Sequence, residues 1–273
     1  MTQLLDPAPA LVAGPGYAFD NSSDHPVAQF ACLAAAYDPF TIERLSATGV
    51  GEGWHCLEIG AGNGSVARWL ADRVGPTGRV LATDLDIRRI PSHPGLVAER
   101  HDIVHDPLPQ AAFDLIHARL VLQHLPERRA VLARLLTALR PGGWLQIDEF
   151  DVSYGPVLLA PDAGSAELYE RFLAAKARLF DAAGGRAVWG RECPAQLREA
   201  GFTDLDPQPR VALWQAGHPG LELLVSHLDG LRERLLAQGM TESQLDEVRT
   251  VMRHPEFRAV SPVVYSVHAR RPR

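Results

Sequence analysis

Residues 55–65 of this chain read His-Cys-Leu-Glu-Ile-Gly-Ala-Gly-Asn-Gly-Ser. An apolar strand runs here into a glycine-rich turn, and the spacing beyond it predicts a helix over 66–74. Glycines let a backbone approach a ligand closely. A helix N-terminus offers free N–H groups to an anion. Glu58, two positions before Gly60, adds a carboxylate that can receive an ammonium group. The segment suits a ligand with both a cationic amine and a carboxylate. Gly60-Ala61-Gly62 begins like the dinucleotide fingerprint G-x-G-x-x-G, but Ser65 stands where the third glycine belongs and Gly64 comes one position early. A plain tight strand–helix turn is the alternative.

Three further segments point the same way. Residues 79–84 are a second apolar run ending in Asp84, an acid placed to take both ribose hydroxyls of a nucleotide. Residues 97–103 form a third short run. Its Asp102 can accept from an adenine amino group while Ile103 packs on the ring. A fourth strand covers 113–117, an amphipathic helix 127–139, and a fifth strand 144–149. Pro141-Gly142-Gly143 stops the helix between them.

S-adenosylmethionine carries that charge pattern and a dinucleotide does not. The motifs Glu58–Gly64, Asp84, Asp102, Phe113–Ile116 and Leu139–Trp144 occur in order over roughly 50–150. On these the chain resembles the class I S-adenosylmethionine-dependent methyltransferases. Tyr17–Asn21 and His117–Arg128 look more narrowly like actinomycete members that act on small molecules. The resemblance implies a Rossmann-like α/β fold: a mainly parallel seven-stranded sheet, helices on both faces, a helical cap, and a last antiparallel strand beside the sixth. It implies S-adenosyl-L-methionine as cofactor. The cofactor set is Glu58, Gly60, Ala61, Gly62, Ser65, Asp84, Leu85, Asp102, Ile103, His117, Ala118, Arg119 and Gln123. Methyl transfer to a small, secondary-metabolite type of acceptor is expected, with oxygen favoured. N- or C-methylation, or a cofactor-dependent cyclisation without methyl transfer, is the alternative.

Composition excludes several classes. The chain has 273 residues and is 46% hydrophobic, enough for a core. No stretch is long and apolar enough for a membrane span. The start, rich in Pro, Ala and Gly, lacks the pattern of a signal peptide and reads as a loose leader. Three isolated cysteines argue against a disulfide framework or a zinc site, and fit a reducing cytoplasm. The net charge of −6 without a basic block disfavours nucleic acid, whose affinity rests on phosphate contacts. The expected partner is a small molecule, neither nucleic acid nor membrane, with a homodimer left open. Lys176 is the only lysine; the Arg bias reads as a mark of a GC-rich genome.

Three regions are expected: leader and cap helices over 1–49, the cofactor core over 50–150, and the rest of the sheet with cap insertions over 151–273. One or two helices cover 26–48, with a break at Asp38-Pro39. Further helices are predicted over 163–182, 194–202, 219–238 and 242–252, the last with Thr241 and Gln244 as a capping box. Strands are predicted over 205–214 and 262–268. The helical stretches 161–192 and 217–258 are expected to form a substrate lid with the N-terminus.

His124, just beyond the fourth strand, is the candidate general base, because imidazole titrates near neutrality. A packed histidine, with Gln123 facing the site instead, is the other reading. His117 is either a cofactor contact or a satisfied strand-end residue. Arg119 can pair with the cofactor carboxylate or with Glu149. Tyr17 is the second catalytic candidate, as an aromatic closing over a cation, or else an ordinary anchor. Glu149 and Asp151 either bind a polar substrate or cap the next element. His117-Ala118-Arg119-Leu120 stands where methylases of exocyclic amines in nucleic acids carry Asp/Asn-Pro-Pro-Tyr/Phe, and no metal-ligand spacing is visible.

Overall fold

The computed structural model describes residues 25–273, with side chains from Ala28 onward. The chain starts on α1 (His25–Ala47). Alternation then follows: β1 (His55–Ile59), α2 (Ser65–Val74), β2 (Arg79–Asp84), β3 (Leu96–Arg100), β4 (Phe113–Arg119), α3 (Arg128–Ala138) and β5 (Leu139–Asp151). The remainder is β6 (Val157–Leu159), α4 (Ala163–Ala182), α5 (Trp189–Glu199), β7 (Thr203–Arg210), β8 (Leu213–Gln215), α6 (Pro219–Gly230), α7 (Arg232–Ala237), α8 (Glu242–Met252), β9 (Arg258–Val260) and β10 (Val263–Arg270).

Seven strands form one sheet in the order β3-β2-β1-β4-β5-β10-β7. The first five are mutually parallel, and β10 runs antiparallel between β5 and β7. Side chains alternate across a strand, so the two faces read directly from the cores. Leu57, Ile59, Ile116 and Ala118 pack with α3 and α5. Cys56, Val80, Ala82 and Leu115 pack with α2 and the end of α1. A third core joins α4, α6, α7 and α8 to Tyr37 and Phe40 of α1. This helical cap sits over the ligand side of the sheet.

Several expectations change. α1 is one helix with Pro39 inside it. Proline removes a helical hydrogen bond, but Tyr37 and Phe40 are buried, Asp38 pairs with Arg119 at 2.8 Å, and Thr41 donates to Asp148 at 2.7 Å. Tertiary contacts hold both sides of the proline in register. The strand expected over 205–214 is two. β7, with Pro207 and Pro209, lies at the sheet edge, where missing N–H donors are tolerated. β8 then joins a separate antiparallel sheet, β6-β9-β8, and Trp214 is buried in the cap core. The helix expected over 219–238 divides after Gly230. α5 starts earlier than expected because Trp189, fully buried, belongs to it. β5 starts at Leu139, paired with Phe113, and shifts register through Pro141-Gly142-Gly143, where Gly142 and Gly143 bond the Arg271 backbone, before pairing with β4 and β10 from Trp144 onward. The capping box of Thr241 and Gln244 is present. No helix of the described residues is long and apolar enough to cross a membrane.

Candidate active site

The carboxyl ends of β1, β2, β4 and β5 converge on one cavity of about 280 Å³, the usual crevice of open α/β sheets. One wall is the glycine loop. Gly60 and Gly62 have φ of +64° and +57°, a region L side chains avoid. Both also lack room for a Cβ, which would run into the side chains of Val121 and Phe30. Asp84 fixes the loop: its Oδ2 accepts from the Gly62 N–H at 2.9 Å and its Oδ1 from the Asp86 N–H at 3.0 Å. Burial pushes its carboxyl up, against those donors. Leu85, half exposed, follows it on the wall.

Asp102 and Ile103 lie just past β3 and also line the cavity. Asp102 accepts from the Val104 N–H at 2.9 Å and sits 2.9 Å from His105 Nδ1. Burial raises its carboxyl, but the His105 and Val104 bonds outweigh that and hold it low. The loop after β4 bends through Leu120, whose φ of +56° is strained for a branched side chain. Glu149 supports that bend. Its Oε1 accepts from the N–H groups of Val121, Leu122 and Gln123 at 3.1, 2.8 and 3.4 Å. Burial pushes this carboxyl up to about 8, against the three donors. Glu149 thus caps the turn and does not pair with Arg119. Asp151 also caps, accepting from the N–H and Oγ of Ser153. Arg119 turns instead to Asp38 of α1, 2.8 Å away.

Gly60, Ala61, Gly62, Asp84, Leu85, Asp102, Ile103, Arg119, Gln123 and His124 all line the cavity. Glu58, Ser65, His117 and Ala118 do not line it, and Glu58, His117 and Ala118 are buried beneath that wall. Glu58 is 3% exposed, and its Oε2 lies 2.6 Å from His117 Nδ1. The two are cross-strand neighbours in β1 and β4, so the acid faces its partner strand. His117 Nε2 lies 3.3 Å from Asp148, which also accepts from Thr41 and Gln146. Burial works against a charged His117, but Glu58 and Asp148 raise it to about 9. Burial likewise opposes ionised Asp148, and His117 holds it at about 2. Ser65 opens α2, with its N–H on Asn63, and Ala118 is core. Tyr17 lies outside the described residues.

The cap supplies the other wall: Tyr169, Leu173, Lys176 and Phe180 of α4, Leu224 and His227 of α6, and Phe30 and Leu33 of α1. His124 meets Phe180 edge-on at 4.7 Å between centroids. Burial, then the charges of Lys176 and Arg128, lower its imidazole to about 3. His227 is driven well below its ordinary range by burial, Lys176 and His124. Lys176 falls to about 8 through burial alone. Lys176, notable in the sequence only as the solitary lysine, and His227 were not expected at the site. A signal was available: Lys176 stands one helical turn from Phe172 and from Phe180, on the apolar face of α4. No group of acids, histidines and cysteines suited to a metal occurs among the described residues.

The profile of the methyltransferase-domain family matches residues 35–206. The chain belongs to this family of S-adenosylmethionine-dependent methyltransferases. It is 30% identical over 195 residues to the 27-O-demethylrifamycin SV methyltransferase of Amycolatopsis mediterranei, covering 66% of this chain and 64% of that one. It is 40% identical over 116 residues to Methyltransferase str2 of Strobilurus tenacellus, covering 41% of each. The matches thus span less than two thirds of these relatives' lengths. The fold is shared with the YcgJ protein of Bacillus subtilis, with a TM-score of 0.54, 11% identity, and 86% and 99% of the chains covered. It is also shared with phosphoethanolamine N-methyltransferase 2 of Haemonchus contortus, solved with S-adenosylhomocysteine. That match has a TM-score of 0.50, 15% identity, and covers 90% of this chain and 52% of that one. The cofactor of the methyltransferase is S-adenosyl-L-methionine. The glycine-loop wall fits it: carboxylates for hydroxyl and amino groups, with Leu85 and Ile103 beside them for a flat ring.

Proposed function

We propose that this methyltransferase transfers the cofactor's methyl group to an oxygen of a small, largely apolar metabolite. One observation carries the reading. A single cavity passes from the glycine loop and Asp84 to the apolar side chains of α4 and α6, with an imidazole on its wall. Gly60, Ala61, Gly62, Asp84, Leu85, Asp102 and Ile103 are the residues that would hold the cofactor. Bound there, it would supply a sulfonium-activated methyl group for the acceptor oxygen.

The chain's own contribution is placement and a dry wall. Holding an acceptor close and aligned gives large effective molarities. Phe30, Leu33, Tyr169, Leu173 and Phe180 exclude water from the acceptor. His124 is neutral at pH 7, since burial lowers it to about 3. So weak a base cannot ionise a free alcohol. It can accept the proton late, when methylation has made that hydroxyl strongly acidic. The rifamycin relative, named for a 27-O-demethyl substrate, supports oxygen as the acceptor.

Incubation with methyl-deuterated S-adenosylmethionine and a metabolite extract tests the reading by mass spectrometry. A labelled product with deuterium on oxygen is expected. Conversion that needs the cofactor yet carries no label would replace methyl transfer with a rearrangement. A label on nitrogen or carbon would overturn the choice of oxygen.

A further inference from the structure

The cap wall contains a cation with no carboxylate partner among the described residues. Lys176 is the only lysine of 273 residues and sits on the buried face of α4, where it lines the cavity. Among the described residues it forms no ion pair and meets no carboxylate, and burial lowers its ammonium to about 8. Two histidines share its surroundings, His124 from the turn after β4 and His227 from α6. Both are neutral and cannot serve as counter-ions. Arg128, at the start of α3, adds further positive charge toward His124. The carboxylates on the cavity wall, Asp84 and Asp102, belong to the glycine-loop side, and their bonds to Gly62, Val104 and His105 hold them there.

We propose that Lys176, flanked by His124 and His227, seats an anionic oxygen of the acceptor, so that the substrate is an apolar molecule bearing a carboxylate or an ionised phenol or enol. This rests on the reading of the cavity as an acceptor site. An ammonium in an apolar wall lacks the solvation it has in water. An entering anion restores a partner, and charge-assisted hydrogen bonds are the stronger ones. An amine acceptor would bring a second positive charge to the same wall, which the geometry opposes. Where the anionic oxygen is itself methylated, its negative charge disappears and the product loses its hold on Lys176. Where it is a carboxylate handle, the product keeps that hold.

The unique lysine makes the test direct. Reductive methylation with 13C-formaldehyde labels Lys176 as the one side-chain amine, and the α-amino signal resonates apart from it. Benzoate, 4-nitrophenol and the neutral benzamide serve as probes, added to the protein with S-adenosylhomocysteine. We expect benzoate or 4-nitrophenolate to move the Lys176 signal saturably and raise its titration midpoint, while benzamide does neither. The yellow phenolate band of 4-nitrophenol distinguishes a phenolate seat from a carboxylate one. Lys176→Met should weaken the anion by roughly tenfold to a hundredfold and leave benzamide within about twofold. Lys176→Arg should restore most of the loss. Cofactor affinity in Lys176→Met, read by calorimetry, reports that the variant is folded. Equal responses to benzoate and benzamide, or anion affinity unchanged in Lys176→Met, would overturn the proposal. Labelled methyl transfer is scored separately: transfer without anion discrimination sinks this inference alone, and anion discrimination without transfer sinks the methyl-transfer reading alone.

Discussion

His117 and His124 stand a few residues apart on either side of the same bend, and burial acts on both. One ends near 9 and the other near 3. The difference lies in what faces each ring. His117 is clamped between Glu58 and Asp148 on the sheet, and the surrounding Thr41, Gln146 and His268 complete a closed set of hydrogen bonds. His124 faces a cavity, an aromatic ring and a lysine. The first set carries its own counter-charges and locks α1 to the sheet, and with it Phe30 and Leu33 of the cavity wall. The second leaves its charge for something else to neutralise. Buried ions that are paired serve architecture, and a buried ion facing space costs stability that only a ligand repays.

The sharpest way to break this comparison is to remove His117. His117→Ala leaves two buried carboxylates facing each other and should cost about 3–5 kcal/mol in chemical unfolding. A loss under roughly 1 kcal/mol would mean that the set is not charged. His124→Ala should do the opposite: stability is kept, cofactor affinity is kept, and turnover falls by at most roughly a hundredfold, the low end of the range because so weak a base lies far from the working pH. Unchanged turnover would reduce His124 to wall.

The pH dependence of unfolding separates the two sets further. The native state raises His117 above its unfolded value of about 6.5. Its contribution is therefore complete below that value and lost as pH rises through about 9. Asp148 is lowered, so its contribution is present above about 3.9 and lost as pH falls through about 2. A His117→Gln variant should lose the alkaline limb in denaturant midpoints measured across pH.

Lys176→Met should gain roughly 0.5–2 kcal/mol in the absence of ligand, because an ammonium with no carboxylate partner among the described residues is replaced by an apolar chain of similar length. A loss would show that Lys176 has a structural partner. The smallest effect belongs to Glu149. Its carboxyl is raised to about 8, so wild-type stability should decline as pH rises from about 4.3 through that value. Glu149→Gln keeps an acceptor for the three N–H groups and should flatten this slope, as thermal unfolding across pH would show.

Much of the frame was legible in the chain. Alternating apolar runs, the glycine loop, Asp84 at a strand end and the Thr241–Gln244 box are local signals, each decided by residues near one another in sequence. The same holds for α4, whose predicted limits match the observed ones. The two strands within 205–214 were not legible, because edge position and the burial of Trp214 are properties of the assembled sheets. Nor was the continuity of α1 through Pro39, which depends on partners in β4 and β5.

The site divides in the same manner. Sequence alone determined which residues form the glycine loop and the acids around it, because strand ends, tight turns and helix starts are short-range matters. It could not decide which way a polar side chain in a strand faces or what meets it there. Glu58 was legible as an acid before a glycine loop, and only the register of β1 against β4 turned it to His117. Lys176 was legible as a solitary lysine, and only the packing of α4 and α6 over the sheet gave it a cavity wall with no counter-ion among the described residues. Charge meets charge across long sequence separations, and the tertiary structure sets those meetings.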